Sequence, residues 1–226
     1  MAVSISPETI KFLADLDKNN NREWFLANKK RYEAAKKNFA EFVDALIKEV
    51  AKFEPAVANF TAKDCTFRIN RDVRFSANKA PYKNNMGASI SKGGKKSSSA
   101  GYYIHIQPGE VFIAGGCWMP EAEQLKKIRD SIDYDYEAFE KIVASKEAKK
   151  RFCGLSEEAK LKTAPKGYPK DHPGREYLKH KSFVFYQPVD SKLISKPEFL
   201  AEVVSGFKAI KPLCDYLNQA LEYTED

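Results

Sequence analysis

The chain has 226 residues, 43% of them hydrophobic and 12% aromatic, which is enough for a generous hydrophobic core and excludes a globally disordered polymer. The net charge is +7, and the longest apolar runs fall far short of the roughly 18–20 residues that cross a bilayer, so no membrane partner is expected. The amino-terminal MAVSISPETIKF lacks a basic region followed by a long apolar run, and Cys65, Cys117, Cys153 and Cys214 are dispersed without CxxC spacing, so a cytoplasmic protein with free thiols is expected.

In chain order, Ser6-Pro7-Glu8 predicts a helix start, with serine as cap, proline in the first turn and an acid near the positive dipole end. That helix turns Ile10, Leu13 and Leu16 inward until Asn19-Asn20-Asn21 breaks it. Over residues 22–53 the apolar positions Phe25, Tyr32, Ala35, Phe39, Phe42, Leu46, Val50 and Phe53 recur at steps of three, four and seven, the stripe of one long helix. The period then changes to two. Phe67/Ile69, Met86/Ala88/Ile90, residues 102–107 and residues 110–117 read as strands.

IHIQPGEVFI reads as a hairpin with a two-residue Pro108-Gly109 turn. Ile104, Ile106, Val111 and Ile113 then share a buried face, and Tyr103, His105, Gln107, Glu110, Phe112 and Ala114 share the other. That second, half-polar face suits a cleft wall or a surface under an amphipathic helix. SKGGKKSSSAG, 91–101, reads as a mobile loop between strands. Pro120 opens a helix with Leu125, Ile128 and Ile132 inward, and a second helical stretch covers about 135–150. Residues 163–181 form a Pro/Gly-punctuated loop with one helical turn after Pro173, and SFVFYQPV is a further strand. Ser195-Lys196-Pro197-Glu198 reads as a capping box for a last helix, kinked at Pro212. Helices at both ends and neighbouring strands between them predict an α+β fold: a mostly antiparallel β-sheet in the middle of the chain packed against N-terminal and C-terminal helices, with residues 1–226 as a single domain.

The charge is concentrated. Residues 61–101 hold nine cations and two acids, an excess equal to that of the whole chain. Within FRINRDVRFSANKAPYK, 67–83, Arg68, Arg71, Arg74, Lys79 and Lys83 face one acid, Asp72. Asp72 can match only one or two of them. The others must splay into water, find distant acids, or hold an anion.

NNREWF, FRINRDVRFSANKAPYK, AGYYIHIQPG, GGCWMP and APKGYPKDHP together resemble the bacterial and fungal family called domain of unknown function 2461, and the likeness spans most of the chain. The resemblance implies that Asn21, Arg22, Trp24, Arg68, Arg71, Asp72, Arg74, Lys79, Tyr82 and Lys83 occupy signature positions. It adds Tyr103, His105, Gly109, Gly116, Trp118, Lys166, Gly167, His172 and Pro173. Where the family's loop often reads Gly-Arg-Lys, this chain has Gly94-Lys95-Lys96, exchanging a bidentate fork for a compact charge. No activity comes with the resemblance.

Two ligand classes suit these residues. One is an anionic small molecule, bearing phosphate or carboxylate, in a cleft formed by Arg68, Arg71, Arg74, Lys79, Tyr82, Lys83 and Tyr103, with Lys166 and His172 on the rim. The other is nucleic acid lying across the same basic stripe. A non-catalytic structural protein whose cations are consumed by salt bridges is the third reading. His105 is the candidate general acid–base, with a hydrogen-bonded structural histidine as the plain alternative. Three histidines without a spaced carboxylate partner argue against a metal. Gly115-Gly116 matches no nucleotide fingerprint and is expected to pack closely against Trp118. There is no GxSxG and no cysteine with an evident base. The sequence implies no particular cofactor or oligomeric state.

Overall fold

A computed structural model describes residues 3–169 and 171–223. Helix α1 (Pro7–Lys18) starts as predicted, the Ser6 side chain accepting from the Thr9 N–H. Residues 22–53 do not form one helix. Asn28, at φ −104° and ψ 17°, separates α2 (Arg22–Ala27) from α3 (Lys29–Val50), and its side-chain amide donates to the Trp24 carbonyl at 3.0 Å. A short amide side chain that bonds the backbone locally competes with helix continuation. The apolar stripe survives the break, because α3 buries Ala35, Phe39, Phe42, Leu46 and Val50.

After the single turn α4 (Ala62–Cys65) comes the sheet, β1 (Met86–Ser91), β2 (Gly101–Gln107), β3 (Glu110–Cys117) and later β4 (Phe183–Pro188), antiparallel throughout and ordered β1-β2-β3-β4. The fold is α+β. Gln107 pairs with Glu110 across the two-residue turn, where Gly109 takes φ +82°. Ile104, Ile106, Val111 and Ile113 are buried on the inner face as the alternation predicts. Helix α9 (Phe199–Glu222) lies across that face, with Phe207 5.1 Å from the Tyr102 ring. Each such buried aromatic contributes about 1.5–3 kcal/mol.

The approach of α9 is close enough to demand glycine: a Cβ on Gly206 would sit 2.1 Å from Ile113 Cδ1. Gly115-Gly116 is also a close-packing pair, but its partners differ from the predicted Trp118, which is exposed. A Cβ on Gly115 would meet Ile210 at 2.5 Å, and one on Gly116, at φ +126°, would lie 2.0 Å from the Phe183 carbonyl oxygen.

The helical stretch at 135–150 divides. Helix α5 (Ala122–Tyr134) is followed by α6 (Tyr136–Val143) and α7 (Lys146–Arg151), and Ser145 caps α7 by accepting from the Ala148 N–H. The turn after Pro173 is α8 (Arg175–Leu178). Ser195 does not cap the last helix: its hydroxyl donates to the Ile5 carbonyl at 2.8 Å, and α9 begins only at Phe199 and continues through Pro212. The 91–101 loop is anchored. Ser91 Oγ donates to the Gly94 carbonyl at 2.9 Å and the Ala100 N–H to Asn218 Oδ1 at 2.8 Å. No described helix is long and apolar enough to cross a membrane.

The predicted strand at Phe67/Ile69 is absent. Thr66↔Ala88 and Asn70↔Tyr82 are isolated bridges, and the segment instead closes on itself through Arg71 N–H to Pro81 C=O (2.9 Å) and Lys83 N–H to Ile69 C=O (2.8 Å). Pro81 has no N–H to extend a ladder. The Arg71 guanidinium also takes up the Ala80 carbonyl at 3.0 Å, so pairing stops.

Candidate functional site

The 66–83 segment lies along the β1 edge of the sheet, joined to it by the Phe67 N–H bonding the Gly87 carbonyl at 3.1 Å. Its far end is pinned from α1 and α2. The Asn20 side chain bonds both the N–H and the C=O of Tyr82, at 3.0 and 2.9 Å, and the Tyr82 ring stacks on Phe25 with centroids 3.9 Å apart. Tyr82 is therefore a buried anchor of this loop.

The five cations of the segment separate into two groups. Arg71 donates to the Ala80 carbonyl and, at 3.3 Å, to Ser76 Oγ, so it holds the loop's shape. Arg74 forks onto Asp72 at 3.0 and 2.7 Å and holds that carboxyl below its ordinary range; Lys79 donates to the Val73 carbonyl at 3.0 Å. Arg68 and Lys83 remain. Arg68 is exposed, and no hydrogen bond or ion pair engages it among the described residues. Lys83 sits 5.4 Å over the Phe67 ring, half-buried, and burial first and then the Arg68 charge push its ammonium below the ordinary lysine range.

The outer face of the sheet adjoins this pair. Tyr103 leans over β1, where a Cβ on Gly87 would meet its hydroxyl at 2.5 Å, and its ring lies 6.3 Å from Phe67. The Tyr103 hydroxyl bonds His105 Nδ1 at 3.1 Å, and His105 Nε2 bonds Gln107 Oε1 at 3.2 Å. Burial, aided by the Lys83 charge and opposed by the Gln107 bond, lowers the His105 pKa and keeps the ring neutral. With Gln107 Oε1 accepting, Nε2 carries the proton and Nδ1 accepts from Tyr103. The imidazole also stacks on Phe112 at 4.6 Å and 9°. Burial pushes the Tyr103 phenol up to about 12, so it too is neutral and able to donate.

Lys166 and His172 belong instead to the segment that precedes β4 in the chain. Residues 155 and 156 of that segment run beside β4, with Leu155 bridging Phe185 and the Ser156 N–H bonding the Val184 carbonyl at 2.9 Å. There His172 accepts from the Gly174 N–H at 2.9 Å and faces Asp133 at 3.4 Å, while Lys166 is exposed. Three strand spacings, about 14 Å, separate the β1 and β4 edges. The structure thus brings Arg68, Lys83, Phe67, Tyr103 and His105 together, and carries Lys166 and His172 on a segment tied to β4 and α5 instead.

Tyr186 joins the same outer face, 4.8 Å from Phe112, and escaped the sequence reading. The period-two pattern of SFVFYQPV carries the signal, because Tyr186 pairs with Ala114 of the hairpin's outward set. Two cavities lie elsewhere. One of about 340 Å³ is bounded by Glu54, Lys92, Tyr102, Asp215 and Glu222, and its neighbour of about 300 Å³ by Ser98, Glu123 and Lys127.

Fold and site define an α+β protein with an aromatic sheet face beside Arg68 and Lys83, which have no hydrogen bond or ion pair among the described residues. The chain belongs to the family described as "Conserved hypothetical protein (DUF2461)", which matches residues 8–216 and so confirms the resemblance drawn from the motifs. No curated protein and no solved structure matches it.

Proposed function

We propose that the protein binds a phosphate- or carboxylate-bearing ligand at the β1 edge, on a single-domain scaffold. Arg68 and Lys83 are the cationic contacts in this reading and Tyr103 the hydrogen-bonding wall. The observation that carries it is Lys83: a half-buried ammonium beside a guanidinium, with no carboxylate paired to it among the described residues. Like charges held together in partial burial are unfavourable until an anion seats between them. Arg68 can chelate two oxygens of such an anion, and Lys83 adds a point charge. Arg71, Arg74, Lys79 and Tyr82 maintain the loop that presents the pair.

His105 serves as a positioning residue, since both ring nitrogens are engaged and their bonds fix the Tyr103 hydroxyl. Three buried thiols and the exposed Cys153, all unpaired, fit a reducing, cytoplasmic setting. Calorimetric titration with inorganic pyrophosphate at constant ionic strength tests the proposal. Binding by the wild type, weakened at least about tenfold in Lys83→Met, is expected from the loss of a charge-assisted contact. Heats indistinguishable from dilution, or equal affinity in the variant, would remove it.

A further inference from the structure

The outer sheet face carries more than an anion needs. Four rings follow one another across it from the β1 edge to β4: Phe67 to Tyr103 at 6.3 Å, Tyr103 to Phe112 at 5.9 Å, and Phe112 to Tyr186 at 4.8 Å. The helix α9 covers the inner face, and on the outer face the end rings Phe67 and Tyr186 stay 42% and 41% exposed. Successive interplanar angles of 59°, 49° and 41° mean the rings do not stack into one closed column. A further ring, Phe75, is 97% exposed on the basic loop, with the Arg74 guanidinium 5.9 Å from its centre. Rings in a row, half-buried at Tyr103 and Phe112 and exposed at Phe67 and Tyr186, mark a binding face. Cations concentrated at one end of the row fix the charge of what binds there.

We propose that this face binds single-stranded nucleic acid, with bases laid on the Phe67–Tyr103–Phe112–Tyr186 row and the phosphate backbone passing Arg68 and Lys83. The inference rests on the anion reading above and names its ligand class. Stacking needs unpaired bases, because a duplex hides their faces and offers phosphates alone. An open sheet also suits a polymer that runs on past it, whereas a small metabolite is ordinarily enclosed in a cavity, and the cavities of about 340 and 300 Å³ described above are lined by other residues. Stacking accepts any base, so the face discriminates single strands from duplexes more strongly than one sequence from another.

The test is fluorescence anisotropy with a short dye-labelled oligothymidylate, the same sequence as a duplex, and unlabelled pyrophosphate as competitor, at two salt concentrations. The single strand is expected to bind at least about tenfold more tightly than the duplex. Phe67→Ala/Tyr186→Ala should weaken the oligonucleotide about tenfold or more, and Tyr186→Ala alone, at the end of the row away from the cations, should weaken it while leaving the protein's melting curve and pyrophosphate affinity unchanged. Arg68→Ala/Lys83→Met should flatten the logarithmic salt dependence by about 1.4, the value for two phosphate contacts on a single strand. Pyrophosphate binding without oligonucleotide binding, or an oligonucleotide affinity indifferent to both rings, overturns this inference and leaves the anion site standing. Loss of both ligands overturns the two together.

Discussion

The two edges of the sheet are flanked by irregular, cation-rich segments of similar appearance in sequence, yet they differ in the supply of acids: residues 152–181 hold four acids for seven cations, residues 67–83 one for five. Beside β4, Lys160 meets Glu157 at 3.0 Å and Glu176 at 3.7 Å, Lys179 bonds Glu176, and Arg129 donates to the His180 carbonyl at 3.0 Å. That segment is also welded to the core, with Phe152 stacked on Phe185 at 4.6 Å and 6°. Beside β1, one carboxylate serves five cations, and Arg74 takes it. Cation density does not make a site. The shortage of matching acids within reach does, and it distinguishes a loop that is structure from a loop that presents charge.

The comparison can be broken most forcefully at the β4 edge. Phe152→Ala should cost about 3–5 kcal/mol, read from denaturant unfolding, as expected for a buried aromatic with a stacked partner. A loss under 1 kcal/mol would mean that the segment merely rests on the sheet. Next comes the anchor of the β1 segment. Asn20→Ala strands two backbone groups of Tyr82 and should cost about 1–3 kcal/mol. Hydrogen exchange of the 66–83 amides should rise with it, and unchanged protection there would show that the loop is held by something other than Asn20.

A smaller effect is expected from acid. The buried His105 and His180 both have lowered pKa values, so the unfolded chain binds protons that the folded one refuses. Their contribution to stability is whole above about pH 6.5 and is lost as the pH falls below it toward their folded values. The melting temperature should therefore decline between about pH 6.5 and 5, before Asp15, Asp64 and Asp72, with lowered carboxyl pKa values, titrate near pH 4 and below. A His105→Gln variant should show a shallower decline; an identical slope would show that burial of this ring is not what its charge resists. The smallest change is at the cations. Arg68→Ala should move the melting temperature by less than about 2 °C, since an exposed side chain with no hydrogen bond or ion pair among the described residues supports little in the fold. A large loss would place Arg68 among the structural cations with Arg71.

Much of the scaffold was legible because it is written locally. Strict alternation on both sides of Pro108-Gly109 gave the hairpin, its register and both of its faces, and Ser6 announced α1 through a bond three residues long. The misreadings came where a distant partner decided. Asn28 breaks the long helix by a bond to Trp24 that its apolar periodicity conceals. Ser195 looked like a cap and instead bonds Ile5 across the length of the chain. Phe67 and Ile69 alternate like strand residues, but Pro81 and the Arg71–Ala80 bond close the segment on itself before a ladder can form. The sorting of cations is of the same kind. Nothing in FRINRDVRFSANKAPYK says that Arg71 will reach a carbonyl nine residues away while Lys83 settles over the Phe67 ring beside the Arg68 charge. Tyr82 shows the limit well: among the ring-bearing residues of the basic stretch, only its contact with Phe25 reveals it as the anchor.

The ammonium of Lys83 reports on the site most directly, and a carbon-detected NMR titration of its side chain measures it. Its pKa should fall below the 10.5 of a free lysine, rise when Arg68 is replaced by Ala, and rise again when pyrophosphate is added to the wild type. An ordinary value, indifferent both to Arg68 and to the anion, would contradict the existence of an unsatisfied cationic pair at this edge.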